Sequence, residues 1–452
     1  MSDPVATTVQ GLIDAGIIYR PIDGNHGSIH PKSTDYVPTG IPFVMATDLV
    51  DGRVDFGTCN HITEKRANSL RKGFAQIGDV LLSHKATIGR TAIIQENPFP
   101  FVMLTPQVTY YRVKDRSKLS PEYLKYVFDS HEFQTTMKSW AGDGSTRAYI
   151  GITAQHKLPI YLHDKAQQDS IVEIIDPLVK KIEFNKRMNE TLEGMAQAIF
   201  RDWFVDFGPT RRKAAGEVDP VAIMGGLTTD PACAAHLAAL FPAAFGNDGL
   251  PVGWASVPVS KLVAIVGGGT PKTSNSSYWN GPIPWFSVTD TPAGKDLFVF
   301  DTEKSITQAA LEGSSARLVP AGTTIISARG TVGNLALAAQ EMTFNQSCYA
   351  LRSSEGDRPF FTFLAAANLV EVLKGMAHGS VFSTITRQTF DGVHFADAGG
   401  STMDAFDATV SPLFDRIRAA VDENRTLAET RDYLLPRLMS GAVRVAPKVE
   451  AA

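Results

Sequence analysis

Cysteine is scarce in this chain of 452 residues: Cys59, Cys233 and Cys348 stand far apart, which excludes a C-x-x-C metal pattern and gives no disulfide framework. The N-terminus lacks a basic stretch followed by an apolar core, so no secretory signal is visible. Long hydrophobic runs are missing too. The most apolar long segment, Phe360 to Leu373, is interrupted by Asn368 and Glu371 and is too short to span a bilayer. A cytoplasmic protein without a membrane partner is expected. Nor is there an excess of positive charge: 43 Lys+Arg face 47 Asp+Glu, a net charge of −4, which argues against nonspecific coating of nucleic acid. The balance is uneven, with 18 basic against 16 acidic residues and seven of the ten histidines in 1–165, but 10 against 11 in 251–400. Sequence-specific binding by loops is compatible with these numbers, whereas strong binding by charge alone is not.

Signatures of a reactive centre are also lacking. Gly267-Gly268-Gly269-Thr270-Pro271-Lys272-Thr273 is not a phosphate-binding P-loop, because a proline precedes the lysine and the spacing is wrong. No G-x-G-x-x-G lies between a strand and a helix. Asn97-Pro98-Phe99-Pro100 superficially matches the N-P-P-[YF] loop of amino-methyltransferases but lacks the second proline in place, and it reads as a turn. His26 and His30 are four apart, yet Gly27 between them makes a helical metal pair improbable. Together with His61 and His84 they read as surface or loop histidines.

What is present is a duplication. Ile150, Leu158, Ile160, Pro177, Ile182, Asn189 and Leu192 correspond to Ile385, Val393, Phe395, Pro412, Ile417, Asn424 and Leu427 at a constant offset of 235. Upstream, Ile41-Pro42-Phe43 and Asp48 match Ile283-Pro284-Trp285 and Asp290. The loop from Ser83 to Gly89 matches that from Ser327 to Gly333. Copies this long mean two domains rather than a solenoid, and the length suits two or three domains, each with its own core.

After each globular stretch the apolar residues take a helical period. Ile171, Ile175, Leu178, Ile182, Asn185, Asn189, Leu192, Ala196 and Ile199 form an a/d seam. Phe406, Val410, Leu413, Ile417, Ala420, Asn424, Leu427, Arg431 and Leu434 repeat it in the same register. One such stripe reads as an amphipathic helix on its own domain's core. Two in matched register, each about 50 Å long at 1.5 Å per residue, predict helices packed on each other, with the globular parts at opposite ends if they run antiparallel. Arg431 breaks the seam where the first copy has Ala196, so the pairing is expected to fray or to meet another surface there.

The globular parts read as mixed α/β, of the α+β kind. Gly78–Ser83 and Gly322–Ser327 are turn-then-strand signals, Gln107–Tyr111 and Gln346–Leu351 further strands, and Ser120-Pro121 a helix start. The expected division is a first globular domain at 1–165, a long helix at 166–207, a connector at 208–250 with one short helix near Cys233–Leu240, a second domain at 251–400, a second long helix at 401–441 and a flexible tail at 442–452. Polar, glycine-containing loops recur at equivalent places. Their hydroxyls and basic groups are of the kind that contact phosphates and base edges: Ser83, Lys85, Thr87 and Arg90; Ser145, Thr146 and Arg147; Lys272; Ser327, Arg329 and Thr331; Ser383 and Arg387. Each loop alone reads equally well as a tight turn.

Several stretches resemble the specificity subunit of type I restriction–modification systems. Gly268-Gly269-Thr270-Pro271-Lys272-Thr273 leads through Tyr278-Trp279-Asn280-Gly281-Pro282-Ile283-Pro284-Trp285 to Asp290, like the start of that family's target-recognition domain. Ser327–Gly333 resembles its internal loop and Ala198–Phe207 its central signature. Leu250-Pro251-Val252-Gly253-Trp254 looks like the entry to its second domain, and Leu434–Gly441 is similar to its C-terminal signature. Asp23-Gly24-Asn25-His26-Gly27 departs from the Gly-Gly-Thr-Pro form. The resemblance implies a pseudo-twofold subunit without catalysis of its own: two target-recognition domains separated by an antiparallel coiled coil, each reading half of an asymmetric bipartite site on double-stranded DNA, with the helices setting the spacer. It implies two methyltransferase subunits and two ATP-dependent restriction subunits as partners. S-adenosylmethionine, ATP and Mg2+ then sit on those partners, and no cofactor or metal on this chain. Trp203, Phe204, Leu434 and Leu435 are the expected partner contacts, the first two forming an exposed aromatic cluster. The competing readings are a stand-alone DNA-modifying enzyme, active without partners, and a coiled-coil adaptor without DNA contact.

Overall fold

The computed structural model describes residues 4–142, 148–292, 296–376 and 384–445. Ser145, Thr146, Arg147, Ser383 and the last seven residues lie outside them. By internal contacts the chain divides into two compact units, residues 1–183 with 426–452 and residues 184–425. The dividing points fall inside the two long helices, Lys165–Phe204 and Gly400–Met439, each of 40 residues.

In the first unit, strands Ile22–Asp23, Val108–Tyr111, Val80–Ser83 and Thr91–Ile93 lie side by side, antiparallel. Thr91–Ile93 then pairs in parallel with Gly52–Val54. Ile41–Val44 pairs in parallel with Val102–Leu104 inside a second, five-stranded sheet. The second unit repeats the plan. Val263–Gly267, Cys348–Ser353, Thr324–Ser327 and Leu335–Ala338 are antiparallel neighbours, Phe298–Val299 joins in parallel, and Trp279–Phe286 pairs in parallel with Thr343–Phe344. Val80–Ser83 and Thr324–Ser327 are buried at every position, as strands covered on both faces require. Helix Pro121–Asp129 starts where the sequence signals it, with the Ser120 hydroxyl accepting from the Tyr123 N–H at 3.0 Å. The mixed sheets with helices to one side make the fold α+β.

The long helices pair antiparallel. In the second unit Asn185 Nδ2 donates to Asn424 Oδ1 at 2.9 Å and to Glu423 Oε2 at 2.8 Å, and Trp203 packs on Phe406 with ring centroids 5.6 Å apart. A step of eighteen residues up one helix is matched by eighteen residues down the other. In the first unit Ile171 and Ile175 share a core with Leu435 and Leu438, and the His163 ring meets the Met439 carbonyl at 3.1 Å. Every residue assigned to the seam from the sequence is buried or half-buried, Arg431 included, whose guanidinium turns to Asp432 at 2.8 Å. Asn189 is fully buried, and among the described residues neither of its side-chain polar atoms has a hydrogen-bond partner. An unpaired buried amide costs about 1–3 kcal/mol. Asn189→Leu is therefore expected to raise the urea midpoint of the second unit's unfolding, and a lower midpoint would show that the amide is bonded in solution.

Two expectations need correcting here. Trp203 and Phe204 are 1% and 2% exposed and lie inside the second unit's core, so they are not an open aromatic surface. The connector holds three short helices where one was expected. It folds into Gly208–Ala214, Pro220–Ile223 and Pro231–Ala239, whose Ile223, Leu237 and Ala238, with Phe241 beyond them, close over Trp203. Arg212 clamps this arrangement, donating from both terminal nitrogens to Asp202 at 3.0 and 2.8 Å and from Nε to the Ile223 carbonyl at 2.6 Å. The apolar segment beginning at Phe360 is part of an 18-residue helix, Pro359–Met376, long and apolar enough to cross a membrane. Half of it is buried in the second unit's core, and Asp407 from the second long helix caps its start by accepting from the Phe360 and Phe361 N–H groups at 2.9 and 2.8 Å.

Candidate nucleic-acid interface

In each unit the register of three adjacent strands brings several loops to one end of a sheet. Asp23 faces Thr109 and Ser83 faces Val108, so the loop after Asp23, the turn before Val108 and the loop after Ser83 share that end. In the second unit Gly267 faces Tyr349 and Ser327 faces Cys348, which gathers the corresponding three loops. A fourth segment joins each group. Lys85 pairs with Tyr149 and the Ile150 N–H donates to the His84 carbonyl at 3.0 Å; in the other copy the Ile385 N–H donates to the Ala328 carbonyl at 3.0 Å. Glycine is required where the first of these loops leaves its strand: a Cβ on Gly24 would lie 2.0 Å from the Leu104 carbonyl oxygen, and one on Gly268 2.1 Å from that of Asn345.

The second loop of each set is closed by a serine. Ser83 accepts at its hydroxyl from the Arg90 N–H at 2.8 Å, and its carbonyl accepts from the Gly89 N–H at 2.9 Å. Ser327 does the same with Asn334 and Gly333, both at 2.9 Å, and its hydroxyl donates to the Thr331 carbonyl. Both serines are buried, so they are not contacts for a ligand, as the sequence had indicated, but clasps that hold the loop. A hydroxyl on a residue only 0–1% exposed and engaged with the backbone of its own loop is out of reach of DNA. Between the closure points the chain turns left-handed, with Ala86 at φ 65° where the other copy has Gly330 at φ 79°.

The remaining described candidates are spread around these clasps. Lys85 and Arg329, at the same place in their loops, are exposed, as is Thr331; Thr87 is half-buried. Arg90 is exposed and donates to the Thr47 carbonyl at 3.2 Å. Arg387 is exposed and donates to the Ile265 carbonyl at 2.9 Å, and Lys272 is exposed after the glycine-rich turn. Leu434 is half-buried and Leu435 buried. Among the described residues no group of three or more His, Cys, Asp or Glu side chains is placed to hold a metal ion.

Sequence reasoning marked the loop after Asp23 as departing from the family form but missed the pairing inside it. Asp23 is buried, ion-paired with Lys72, and accepts from or bridges to His26 Nε2 at 2.6 Å. Burial pushes its carboxyl upward, but Lys72 and His26 outweigh that and hold it below its usual range. Asn25, also buried, ties the loop down: its Nδ2 donates to the Lys72 carbonyl and its Oδ1 accepts from the Arg71 N–H at 3.0 Å. His84 is fully buried rather than a surface histidine. Its Nδ1 faces the Ile150 carbonyl at 3.0 Å, and burial pulls its pKa down to about 4. Asp-x-x-His within a glycine-flanked loop was the available signal.

Comparison with known proteins agrees with this double plan. A family model described as the type I restriction modification DNA specificity domain matches residues 22–194 and again 251–395. The type I restriction enzyme HindI specificity subunit of Haemophilus influenzae is 27% identical over 438 residues, covering 89% of this chain and 94% of that protein. The MjaIX specificity subunit of Methanocaldococcus jannaschii is 27% identical over 142 residues, 31% of this chain and 33% of that one. Among solved structures, the S subunit of a type I restriction–modification system from M. genitalium superposes with a TM-score of 0.55 at 12% identity, covering 96% of each chain, a likeness of fold.

Proposed function

The chain belongs to the type I restriction modification DNA specificity domain family, and from that premise we propose that each lobe reads one half of a bipartite, asymmetric DNA site while the paired helices set the gap between the halves. DNA-sequence recognition as the specificity subunit of a type I system is the family's role; the division into half-sites is our reading. The observation that carries it is the same four-loop strand end built twice, with exposed basic side chains at matched positions but different loop sequences around them. Matched frames suit two half-sites on one duplex, and unlike loops suit two different texts.

The reading includes partners. Two methyltransferase subunits dock on the pseudo-twofold scaffold, a symmetry that suits two copies of one protein, and two ATP-dependent restriction subunits complete the complex. The chemistry of S-adenosylmethionine, ATP and Mg2+ belongs to those partners, and this chain is not itself an enzyme. Their charge also supplies phosphate attraction that a chain of net charge −4 lacks.

Modification-detecting sequencing of DNA from a host that expresses the chain with its methyltransferase partner tests this directly. One bipartite methylated motif that depends on the chain is expected. Methylation or cleavage by the isolated chain would favour a stand-alone enzyme, and a motif indifferent to loop exchange would favour an adaptor. Within the motif, Lys85→Ala and Arg329→Ala are each expected to weaken binding of the assembled complex by about 1–3 kcal/mol. Each is expected to act on its own half-site only. Unchanged affinity and motif in either variant would remove that residue from the interface.

A further inference from the structure

The loop after Asp23 contains a titratable pair with no counterpart in the second lobe, where Gly269, Thr270 and Pro271 follow Gly268 in the places of Asn25, His26 and Gly27. We propose that His26, held by Asp23, is a specificity-determining contact to the first half-site. The inference rests on the DNA-reading role proposed above and adds the residue and the chemistry.

The geometry is that of an oriented imidazole. Asp23 is 4% exposed at its side chain and sits 2.6 Å from His26 Nε2, while the His26 side chain remains 46% exposed. With Nε2 committed to the carboxylate, the other ring edge is left for a ligand, and the carboxylate fixes which nitrogen that is. Asp23 cannot swing with the ring, because Lys72 holds its other oxygen and Asn25 pins the following turn to residues 71 and 72. Such a ring is positioned before DNA arrives, which spares the ordering cost of a free side chain.

Its place on the surface is the interface. Asp23 faces Thr109, one residue from the Val108–Ser83 pair, so His26 and the Lys85 loop leave the same end of the sheet. The charged and titratable groups around it are Asp23 on its own loop, Lys72 from the segment before strand Phe74–Ala75, and His84 and Lys85 from the clasped loop. His30 and Arg66 stand beside them, in electrostatic reach of one another. Burial pulls the pKa of both His84 and His30 down. The free edge of the His26 ring lies beside Lys72 and Lys85, where it can meet a hydrogen-bonding group on a base edge.

The test uses the full chain assembled with its methyltransferase partner and a duplex carrying the motif found by modification sequencing. Fluorescence anisotropy is expected to show His26→Gln weakening binding by about fivefold or more. Modification sequencing is expected to show one position relaxed in the first half of the motif, with the second half and the spacer as they were. The change is at a side chain 46% exposed, so the fold is retained. A His26→Gln complex with the same affinity and the same motif would overturn the proposal. A complex with no chain-dependent motif at all would instead overturn the DNA-reading role itself.

Discussion

Adding seven residues between Phe184 and Asn185, and seven more between Asn424 and Arg425, is expected to lengthen the unmodified gap in the recognised site. The two insertion points face each other, because Asn185 and Asn424 are hydrogen-bonded partners across the seam. A heptad with apolar residues at the a and d positions keeps that seam continuous. It adds about 10 Å to each helix and rotates the chain beyond it by roughly 20°. Three base pairs of B-DNA span about the same length but turn by roughly 100°. The distance favours three extra base pairs while the rotation resists them, so a gap longer by roughly one to three base pairs, with weaker binding, is the expected outcome. Modification sequencing reads the gap directly. A gap that stays the same would mean that the helices are not the ruler.

Trp203→Ala is expected to cost the second unit about 3–5 kcal/mol, the range for truncating a large buried aromatic. Trp203 is 1% exposed, with the Phe241 and Phe406 rings edge-on at 5.0 and 5.6 Å. Those rings come from the connector and from the second long helix, so one deletion loosens both. Set against a stability of about 5–15 kcal/mol for a domain, the loss is large. A fall of the second unit's thermal transition, together with early proteolysis between residues 208 and 253, would report it. Met195→Ala, at a position 49% exposed on the first long helix within the same unit, is the control and is expected to stay within about 0.5 kcal/mol. A Trp203 variant as mild as the control would contradict the packing.

The helix seam and the equivalent loops were legible because both are written locally, in the spacing of apolar residues and in short repeated strings. Ile171 to Ile199 and Phe406 to Leu434 fixed the register before any partner was known, and the Ser83 and Ser327 strings marked matched turns. Burial was not legible in the same way. Ser83 and Ser327 look like loop hydroxyls in sequence, yet backbone groups several residues further on claim them. His84 sits inside because Gln107 and Ile150, distant in the chain, close over it. Trp203 and Phe204 read as exposed only because the Ala- and Gly-rich stretch that covers them has no strong helical period of its own. The parallel pairings, such as Thr91–Ile93 with Gly52–Val54, join segments about forty residues apart and leave no local trace.

The serine clasps bear on how such a protein changes its target. Each uses main-chain atoms of the loop it closes: the Gly89 and Arg90 amides in one lobe, the Gly333 and Asn334 amides and the Thr331 carbonyl in the other. Between the closure points, His84 and Ile88 in one loop and Ala328 and Val332 in the other pack inward, whereas the Lys85 and Arg329 side chains are exposed. Substitution at those two exposed positions is therefore expected to leave the clasps and the cores intact, so the chemistry they present can change without the destabilisation that ordinarily purges novelty from a surface.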